Sequence, residues 1–233
     1  MKIKRIKSGV KNFDRLVQGG FFENSANILI GGAGTGKTTF SIQFLQEGLK
    51  KGEPCLYVTF EEKKENTYKE MKSLGIDLQK YEDKNKFFYL EYNSNQIRTL
   101  LEEGGGAIEE IINVHKIKRL VIDSISPVQK QFNDELTKQE ANVAMYDLIK
   151  SWRCTTIMTA LTMCESCGIP VASCGAPEYK ADGVVYLYNI KIRGKRTRAI
   201  EVLKMRQTNH SQKTVRFDMT GKGLKISSRI IDF

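Results

Sequence analysis

The chain has 233 residues, 40% of them hydrophobic and 27% charged, which is the composition of a folded protein and not of a disordered one. No apolar run approaches the roughly 20 residues of a membrane span and no secretory signal follows the basic start, so we expect a cytoplasmic protein of one domain over residues 1–233, with no membrane partner. Five cysteines argue against a disulfide scaffold, and two histidines leave little room for a Ser-His-Asp triad or a multi-histidine metal site.

Apolar runs of strand length alternate with longer stretches of helical spacing. The predicted strands are residues 27–30, 55–60, 87–92, 119–122, 155–160 and 184–192, and helical spacing appears within 40–49, 68–74 and 136–149. Three glycines at 104–106 predict a break in an otherwise helical stretch over 96–114. After residue 184 the pattern alternates on either side of 193–195, which is typical of antiparallel hairpins. We therefore expect an α/β fold, with a mostly parallel sheet flanked by helices and C-terminal antiparallel hairpins.

A glycine-rich motif, G-x-x-x-x-G-K-[ST], lies directly between the predicted strand 27–30 and a helix that begins near residue 40. Its glycines let backbone N–H groups wrap a phosphate, and the helix N-terminus adds the positive end of its dipole. Lys37 would bring an ammonium to the β- and γ-phosphates, and Thr38 would place its hydroxyl on Mg²⁺. The predicted nucleotide-binding residues are Gly31, Gly32, Ala33, Gly34, Thr35, Gly36, Lys37, Thr38 and Thr39.

Carboxylates follow two other predicted strands. Beside a phosphate loop, a strand-end aspartate such as Asp123 holds the metal through a water molecule; the alternative is an aspartate that caps the next turn. Glu61 and Glu62 follow the strand 55–60, and a carboxylate at that end of an open sheet can face the γ-phosphate and orient an attacking water. Alternatively, either glutamate starts the next helix, where acids suit the helix dipole.

Basic residues are concentrated at both ends of the chain. Residues 1–11 contain five basic and no acidic residues, and residues 189–233 contain 12 basic and three acidic residues, whereas acids outnumber bases between them. Such clusters indicate a polyanionic partner, nucleic acid being the commonest, because Lys and Arg release counterions from phosphates; a solvated Lys-rich surface is the alternative. The candidate contacts to single-stranded DNA are Lys191, Arg193, Lys195, Arg196 and Arg198.

Four segments together resemble a RecA-superfamily ATPase, most closely a single KaiC-like domain of the archaeal RadA-paralogue group. They are the phosphate loop, the Thr-Phe-Glu-Glu strand end, Val-Ile-Asp-Ser, and a late Lys-Met-Arg-Gln-Thr-Asn-His. The resemblance runs nearly end to end and implies a RecA-like core with an extra strand between the phosphate-loop strand and the Asp123 strand. It implies ATP and Mg²⁺ as cofactors and assigns the role of hydrolytic glutamate to Glu61.

The resemblance also implies that the late segment contacts the nucleotide of a neighbouring subunit in a homo-oligomer. The matching residues are Lys204, Arg206, Thr208 and His210. Their spacing of two predicts that all four lie on one face of a strand, and four donors on one edge suit a phosphate. An exposed basic strand in a monomer is the alternative. The sequence leaves open whether the assembly is a monomer, a hexamer or a filament.

Two functions remain open from the sequence. One is an ATP-hydrolysing protein that binds single-stranded DNA or a recombinase and modulates recombination or repair; the other is a KaiC-like ATP switch that acts through protein contacts. A third, an ATP-binding accessory without turnover, is disfavoured by Glu61. Thr159 is either a γ-phosphate sensor or an ordinary strand residue. Cys164, Cys167 and Cys174 are incidental thiols or, in a thermophile, part of a structural disulfide.

Overall fold

The structure is a computed structural model that describes residues 4–93, 96–127, 134–161, 178–192 and 194–231. In chain order its elements are β1 Arg5–Ile6, α1 Phe13–Leu16, β2 Phe21–Phe22, β3 Ala26–Gly31, α2 Lys37–Lys50, β4 Cys55–Thr59, α3 Lys64–Ser73, α4 Gln79–Glu82, β5 Phe87–Glu91, α5 Gln96–Glu102, α6 Gly106–His115, β6 Arg119–Asp123, α7 Glu135–Ser151, β7 Thr155–Leu161, β8 Gly183–Ile192, β9 Lys195–Met205, β10 Val215–Thr220 and β11 Gly223–Ile230. Each strand predicted from the sequence is present, and α5 and α6 are separated at the predicted glycine break.

Among the described residues, nine strands form one sheet in the order β11-β10-β9-β8-β3-β7-β6-β4-β5. The six strands from β8 to β5 are parallel, whereas β8, β9, β10 and β11 pair antiparallel at the other end. Strand β7 lies between the phosphate-loop strand β3 and the Asp123 strand β6, as the resemblance implied. The predicted α/β class, with a mostly parallel sheet and C-terminal hairpins, is confirmed.

The central strands are buried on both faces because helices cover both sides of the sheet. Every residue of β3, β4 and β6 is buried. Along β3, Ile28 and Ile30 pack into the core beneath α5, α6 and α7, while Leu29 packs into the opposite core with α2 and α3. This alternation follows from the two-residue period of a strand and explains the continuous apolar runs in the sequence.

Helix α2 is held against the sheet by an aromatic cluster from the N-terminal segment. The Phe13 and Phe40 rings meet edge to face with centroids 5.0 Å apart, and Phe21 and Phe44 meet similarly at 5.8 Å. All four rings are fully buried, and each contributes roughly 1.5–3 kcal/mol through removal from water. The packing fixes the direction of α2, and with it the position of the loop that precedes the helix.

Within the described ranges, no helix is long and apolar enough to cross a membrane. Cys55 and Cys154 are free thiols in the core. Cys164, Cys167 and Cys174, for which the sequence left a disulfide open, lie outside the described residues.

Candidate functional site

Residues 31–38 form the predicted turn between β3 and α2. Gly34 and Gly36 adopt φ angles of 68° and 99°, a backbone region that favours glycine, and Gly36 is the N-cap of α2. A side chain at Gly31 would overlap the carbonyl oxygen of Leu187 in the neighbouring strand β8. Gly31, Gly34 and Gly36 are thus required by backbone geometry, and the turn ends at a helix N-terminus, where an anion is stabilised.

Lys37 lies across this turn. Its Nζ donates hydrogen bonds to the carbonyl oxygens of Gly31 at 2.8 Å and Gly32 at 2.9 Å. Burial lowers the pKa of Lys37, and the nearby carboxylates of Asp123 and Glu61 act in the opposite direction. The cation predicted to meet the phosphates therefore shares one electrostatic environment with both predicted acidic residues. Thr39, the last residue of the predicted set, is buried in the first turn of α2.

Asp123 ends β6 and accepts hydrogen bonds from three hydroxyl groups. Thr38 and Tyr57 each donate to its Oδ2 at 2.7 Å, and the buried Thr159 donates to its Oδ1. The carboxylate therefore faces α2 and the neighbouring strands, and within the described part of the chain no hydrogen bond supports the turn-capping alternative. Carboxylate and hydroxyl oxygens are the ligands that Mg²⁺ prefers, so Thr38 and Asp123 fit the predicted metal.

Glu61 and Glu62 lie in a short turn that is fixed by Thr59, the last residue of β4. The Thr59 hydroxyl accepts the backbone N–H groups of Glu61 at 3.2 Å and Glu62 at 3.1 Å. Helix α3 begins only at Lys64, so the alternative that either glutamate starts this helix is wrong. Ser124, which follows Asp123, donates to Oε2 of Glu61 at 3.3 Å. The structure thus brings Glu61, and not Glu62, to the end of the Asp123 strand.

Sequence reasoning missed Tyr57. Its fully buried ring lies in β4, and both burial and Asp123 raise the pKa of its phenol, which stays protonated and donates to the carboxylate. The available signal was a tyrosine inside an apolar strand, because a buried phenol needs a hydrogen-bond partner.

The hairpin of β8 and β9 extends beyond the phosphate loop. Leu187 pairs with Gly31 at the end of β3, and β8 continues to Ile192. The register, Asn189 to Arg198 and Lys191 to Arg196, places Lys191, Arg196 and Arg198 on one face. Lys195 lies on the opposite face. The predicted nucleic-acid residue Arg193 lies outside the described residues.

Arg198, one of the predicted nucleic-acid contacts, lies beside the phosphate loop. Its Nη2 donates to the Gly34 carbonyl oxygen at 3.5 Å, and its Nε is buried with no hydrogen-bond partner among the described residues. Beside it lies a cleft of about 370 Å³. The cleft is lined by Asn189, Arg196, Thr197, Arg198, Arg216, Phe217, Asp218 and Met219.

The prediction that Lys204, Arg206, Thr208 and His210 lie along one strand is wrong. Strand β9 ends at Met205, and the next residues form a turn in which Gln207 adopts a φ of 54°. Intrachain contacts override the alternating pattern. Lys204 donates to the Tyr179 carbonyl oxygen at 2.9 Å, Arg206 pairs with Asp182 at 3.4 Å, and the Thr208 hydroxyl accepts from Arg5 at 2.7 Å. His210 Nδ1 lies 3.1 Å from the Ser211 carbonyl oxygen.

This segment lies far from the phosphate loop of its own chain. Met205 pairs with Gly183, and Gly183 pairs with Asn27 near the start of β3, whereas the loop leaves β3 at Gly31. Four strand residues, about 13 Å, separate those two levels of the sheet. The segment and the loop therefore lie at opposite ends of the strands.

Basic residues of the N-terminal segment are used within the fold. Lys4 pairs with Glu23 at 2.5 Å and Lys7 with Asp14 at 3.8 Å. Arg5 donates to the Thr208 hydroxyl and, at 2.9 Å, to the carbonyl oxygen of Gln207. These contacts reduce the charge that the N-terminal end offers to a nucleic acid.

The phosphate loop follows β3 and the strand-end aspartate is the last residue of β6, and β7 lies between these two strands. This arrangement is that of the RecA-like class of phosphate-loop proteins. Within that class the chain belongs to the KaiC ATPase family, whose profile matches residues 6–230. The predicted KaiC-like resemblance is confirmed, and the family supports ATPase activity at a general level. The narrower RadA-paralogue assignment stays a prediction.

Individual relatives agree with this assignment. The circadian clock oscillator protein KaiC of Prochlorococcus marinus is 33% identical over 231 residues, which cover 96% of this chain and 45% of that protein. The chain thus spans about half the length of the clock proteins that it matches. A UPF0273 protein of Pyrococcus horikoshii is 31% identical, with 95% of this chain and 93% of the relative covered. The crystal structure of a KaiC-like protein from the same hyperthermophilic archaeon has a TM-score of 0.84 and 32% identity, with 97% and 100% covered.

Proposed function

We propose that the chain binds ATP and hydrolyses it in a Mg²⁺-dependent reaction, as a homo-oligomer whose subunits each form one domain over residues 1–233. The observation that carries the proposal is the 2.7 Å hydrogen bond between Thr38 and Asp123, with Lys37 in the loop beside it. Family membership supports the same activity.

Each group would have a separate part in the reaction. The loop N–H groups and Lys37 bind the β- and γ-phosphate oxygens, and Thr38 and Asp123 hold Mg²⁺. The metal, when bound, neutralises charge on those oxygens. Glu61 orients the attacking water and accepts its proton, and the Ser124 hydroxyl at 3.3 Å helps to keep that carboxylate in place.

The cleft beside Arg198 would receive the nucleoside. A volume of about 370 Å³ is within the usual range for a small-molecule site, and the lining side chain of Met219 lies close to the loop. Its sulfur lies 3.3 Å from the position that a Cβ on Gly36 would occupy. Arg198 therefore joins the phosphate loop to the cleft.

The late basic segment would act on a neighbouring subunit. Lys204 and Arg206 lie at the end of the sheet opposite their own loop, so a contact to a γ-phosphate requires a second chain. A cation supplied across a subunit boundary in this way stabilises the charge of the transition state. Thr208 and His210 would complete the contact.

For the output of the ATPase we propose binding of single-stranded DNA or a recombinase, with modulation of recombination or repair. The support is charge: Lys191, Lys195 and Arg196 are exposed near the hairpin tip, where they can follow a phosphate backbone. The alternative is a switch that acts through protein contacts. It is favoured by the N-terminal segment, where Lys4 and Arg5 contact groups of the same chain and offer less charge to DNA.

Calorimetry with ATP and Mg²⁺, run beside a phosphate-release assay, tests the central proposal. We expect Lys37→Met to weaken ATP binding about tenfold or more, because a charge-assisted contact is lost. Lys50→Met is the matched control, since Lys50 is exposed at the other end of α2. Wild-type protein that shows neither heat with adenine nucleotides nor phosphate release would overturn the proposal.

A further inference from the structure

Tyr57 connects the Asp123 carboxylate to a second tyrosine outside the phosphate loop. Its hydroxyl donates to Asp123 at 2.7 Å, and its ring stacks on Tyr89 with centroids 5.2 Å apart and an interplanar angle of 17°. The Tyr89 hydroxyl donates to the backbone carbonyl oxygen of Glu62 at 3.2 Å and lies 2.9 Å from the Thr67 hydroxyl. Two adjacent strands thus present two phenols, and only one of them reaches Asp123.

The three donors to Asp123 are not equivalent. Thr38 is itself a proposed ligand of the metal, so its hydroxyl is shared between the carboxylate and Mg²⁺. Tyr57 and Thr159 are fully buried and lie on β4 and β7, the strands on either side of β6. Tyr57 holds Oδ2, the same oxygen that Thr38 contacts, and Thr159 holds Oδ1.

We propose that Tyr57 is a positioning residue that fixes the orientation of the Asp123 carboxylate and thereby sets the affinity of the site for Mg²⁺. The proposal rests on the proposed function, because it requires that Thr38 and Asp123 hold the metal. Groups that hydrogen-bond to a metal ligand fix its orientation and tune its basicity. Their loss costs about 10–100-fold in metal affinity. A buried carboxylate oxygen that loses the hydrogen bond from a phenol also loses part of what compensates for its removal from water.

The test is a calorimetric titration of Mg²⁺ into the ADP-bound protein. We expect Tyr57→Phe to raise the half-saturating Mg²⁺ concentration about tenfold, while ADP affinity measured in EDTA stays within about twofold of wild type because the phosphate loop is unchanged. Tyr89→Phe is the matched control: it removes a phenol from the other ring of the same stack, one without contact to Asp123, and should leave the Mg²⁺ midpoint unchanged. Equal midpoints for the two variants would overturn the proposal.

Two further measurements keep the outcome decisive. If Tyr57→Phe does not fold, as judged by circular dichroism, the variant Tyr57→4-aminophenylalanine keeps the ring and supplies an N–H donor in place of the hydroxyl. This variant should have the Mg²⁺ midpoint of the wild type. If its midpoint is instead raised as far as that of Asp123→Asn, the proposed role of the donor at position 57 is contradicted. Wild-type protein that binds no ADP at all would instead remove the proposed function, and this result is distinguishable because it precedes any comparison of Mg²⁺ midpoints.

Discussion

Thr38 donates a 2.7 Å hydrogen bond to Asp123, although the two residues lie 85 positions apart in the sequence. Thr38 is in the first turn of α2, and Asp123 is the last residue of β6, a strand that does not adjoin β3. The contact forms because α2 runs along β6: Thr38 meets Asp123 at the end of the strand, and the Phe44 carbonyl oxygen accepts from Arg119 at its start. The proposed metal site depends on this packing of α2 against β6.

Glu61→Gln should reduce ATP turnover about 10²–10⁴-fold while ATP remains bound, because the amide cannot accept the proton of the attacking water. Phosphate release and calorimetry on the same preparation measure the two effects. Glu62→Gln is the control and should keep most of the activity. The carboxylate that the Ser124 hydroxyl holds beside the proposed metal site is that of Glu61. Full turnover in Glu61→Gln would assign the base to another residue.

Arg206→Ala and Lys37→Met should each lose ATPase activity alone and recover part of it when mixed. The reason is that a Lys37→Met subunit still offers Arg206 to the intact phosphate loop of an Arg206→Ala neighbour. A contact of this kind is worth on the order of 10³-fold in rate. Arg229→Ala, which removes an exposed charge elsewhere, should behave as wild type. Absence of recovery from a mixture that sizing shows to contain mixed oligomers would contradict the trans contact.

Replacement of Arg193, Lys195 and Arg196 by Ala should weaken binding to single-stranded DNA. If all three contact phosphates, the slope of log affinity against log salt should fall by about 2. Lys213, Lys222 and Lys225 to Ala is a charge-matched control, since all three are exposed outside the β8–β9 hairpin. Fluorescence anisotropy at several salt concentrations gives the slopes. Equal slopes for the two triple variants would remove the hairpin from the DNA proposal and favour the protein-contact switch.

Arg119→Leu should lower the free energy of unfolding by about 3 kcal/mol, because loss of the buried guanidinium leaves one carboxylate and two carbonyl oxygens without their donor. Arg119 is 1% exposed; it pairs with Glu53 at 2.6 Å and donates to the carbonyl oxygens of Lys7 at 2.7 Å and Phe44 at 2.8 Å. Arg216→Leu, which breaks an exposed pair with Asp218, should cost at most about 1 kcal/mol. Urea unfolding measures both, and equal losses would contradict the structural role of Arg119.

Local rules were enough to find the parts of the site. Gly34 and Gly36 are required by their backbone angles, and the apolar strand before Asp123 is required by burial on two faces. Both constraints act within a few residues and can be read directly. The same is true of the glycine break before α6.

Long-range contacts decided what those parts touch. The alternating residues from Lys204 to His210 predicted a strand, but the chain turns after Met205. There Arg206 pairs with Asp182, and Thr208 accepts a hydrogen bond from Arg5. Arg198 and Lys195 look alike in the sequence, yet strand register places only Arg198 beside the phosphate loop.

The amino-acid sequence by itself determined the α/β class, the phosphate loop and the two carboxylate positions, because each depends on spacing within one element and its immediate neighbours. Only the tertiary structure showed that Glu61 contacts Ser124, the residue after Asp123, and that the phenol of Tyr57 donates to the Asp123 carboxylate. Both results depend on the order of β4, β6 and β7 in the sheet. That order is set by packing between segments distant in sequence, which no local pattern encodes.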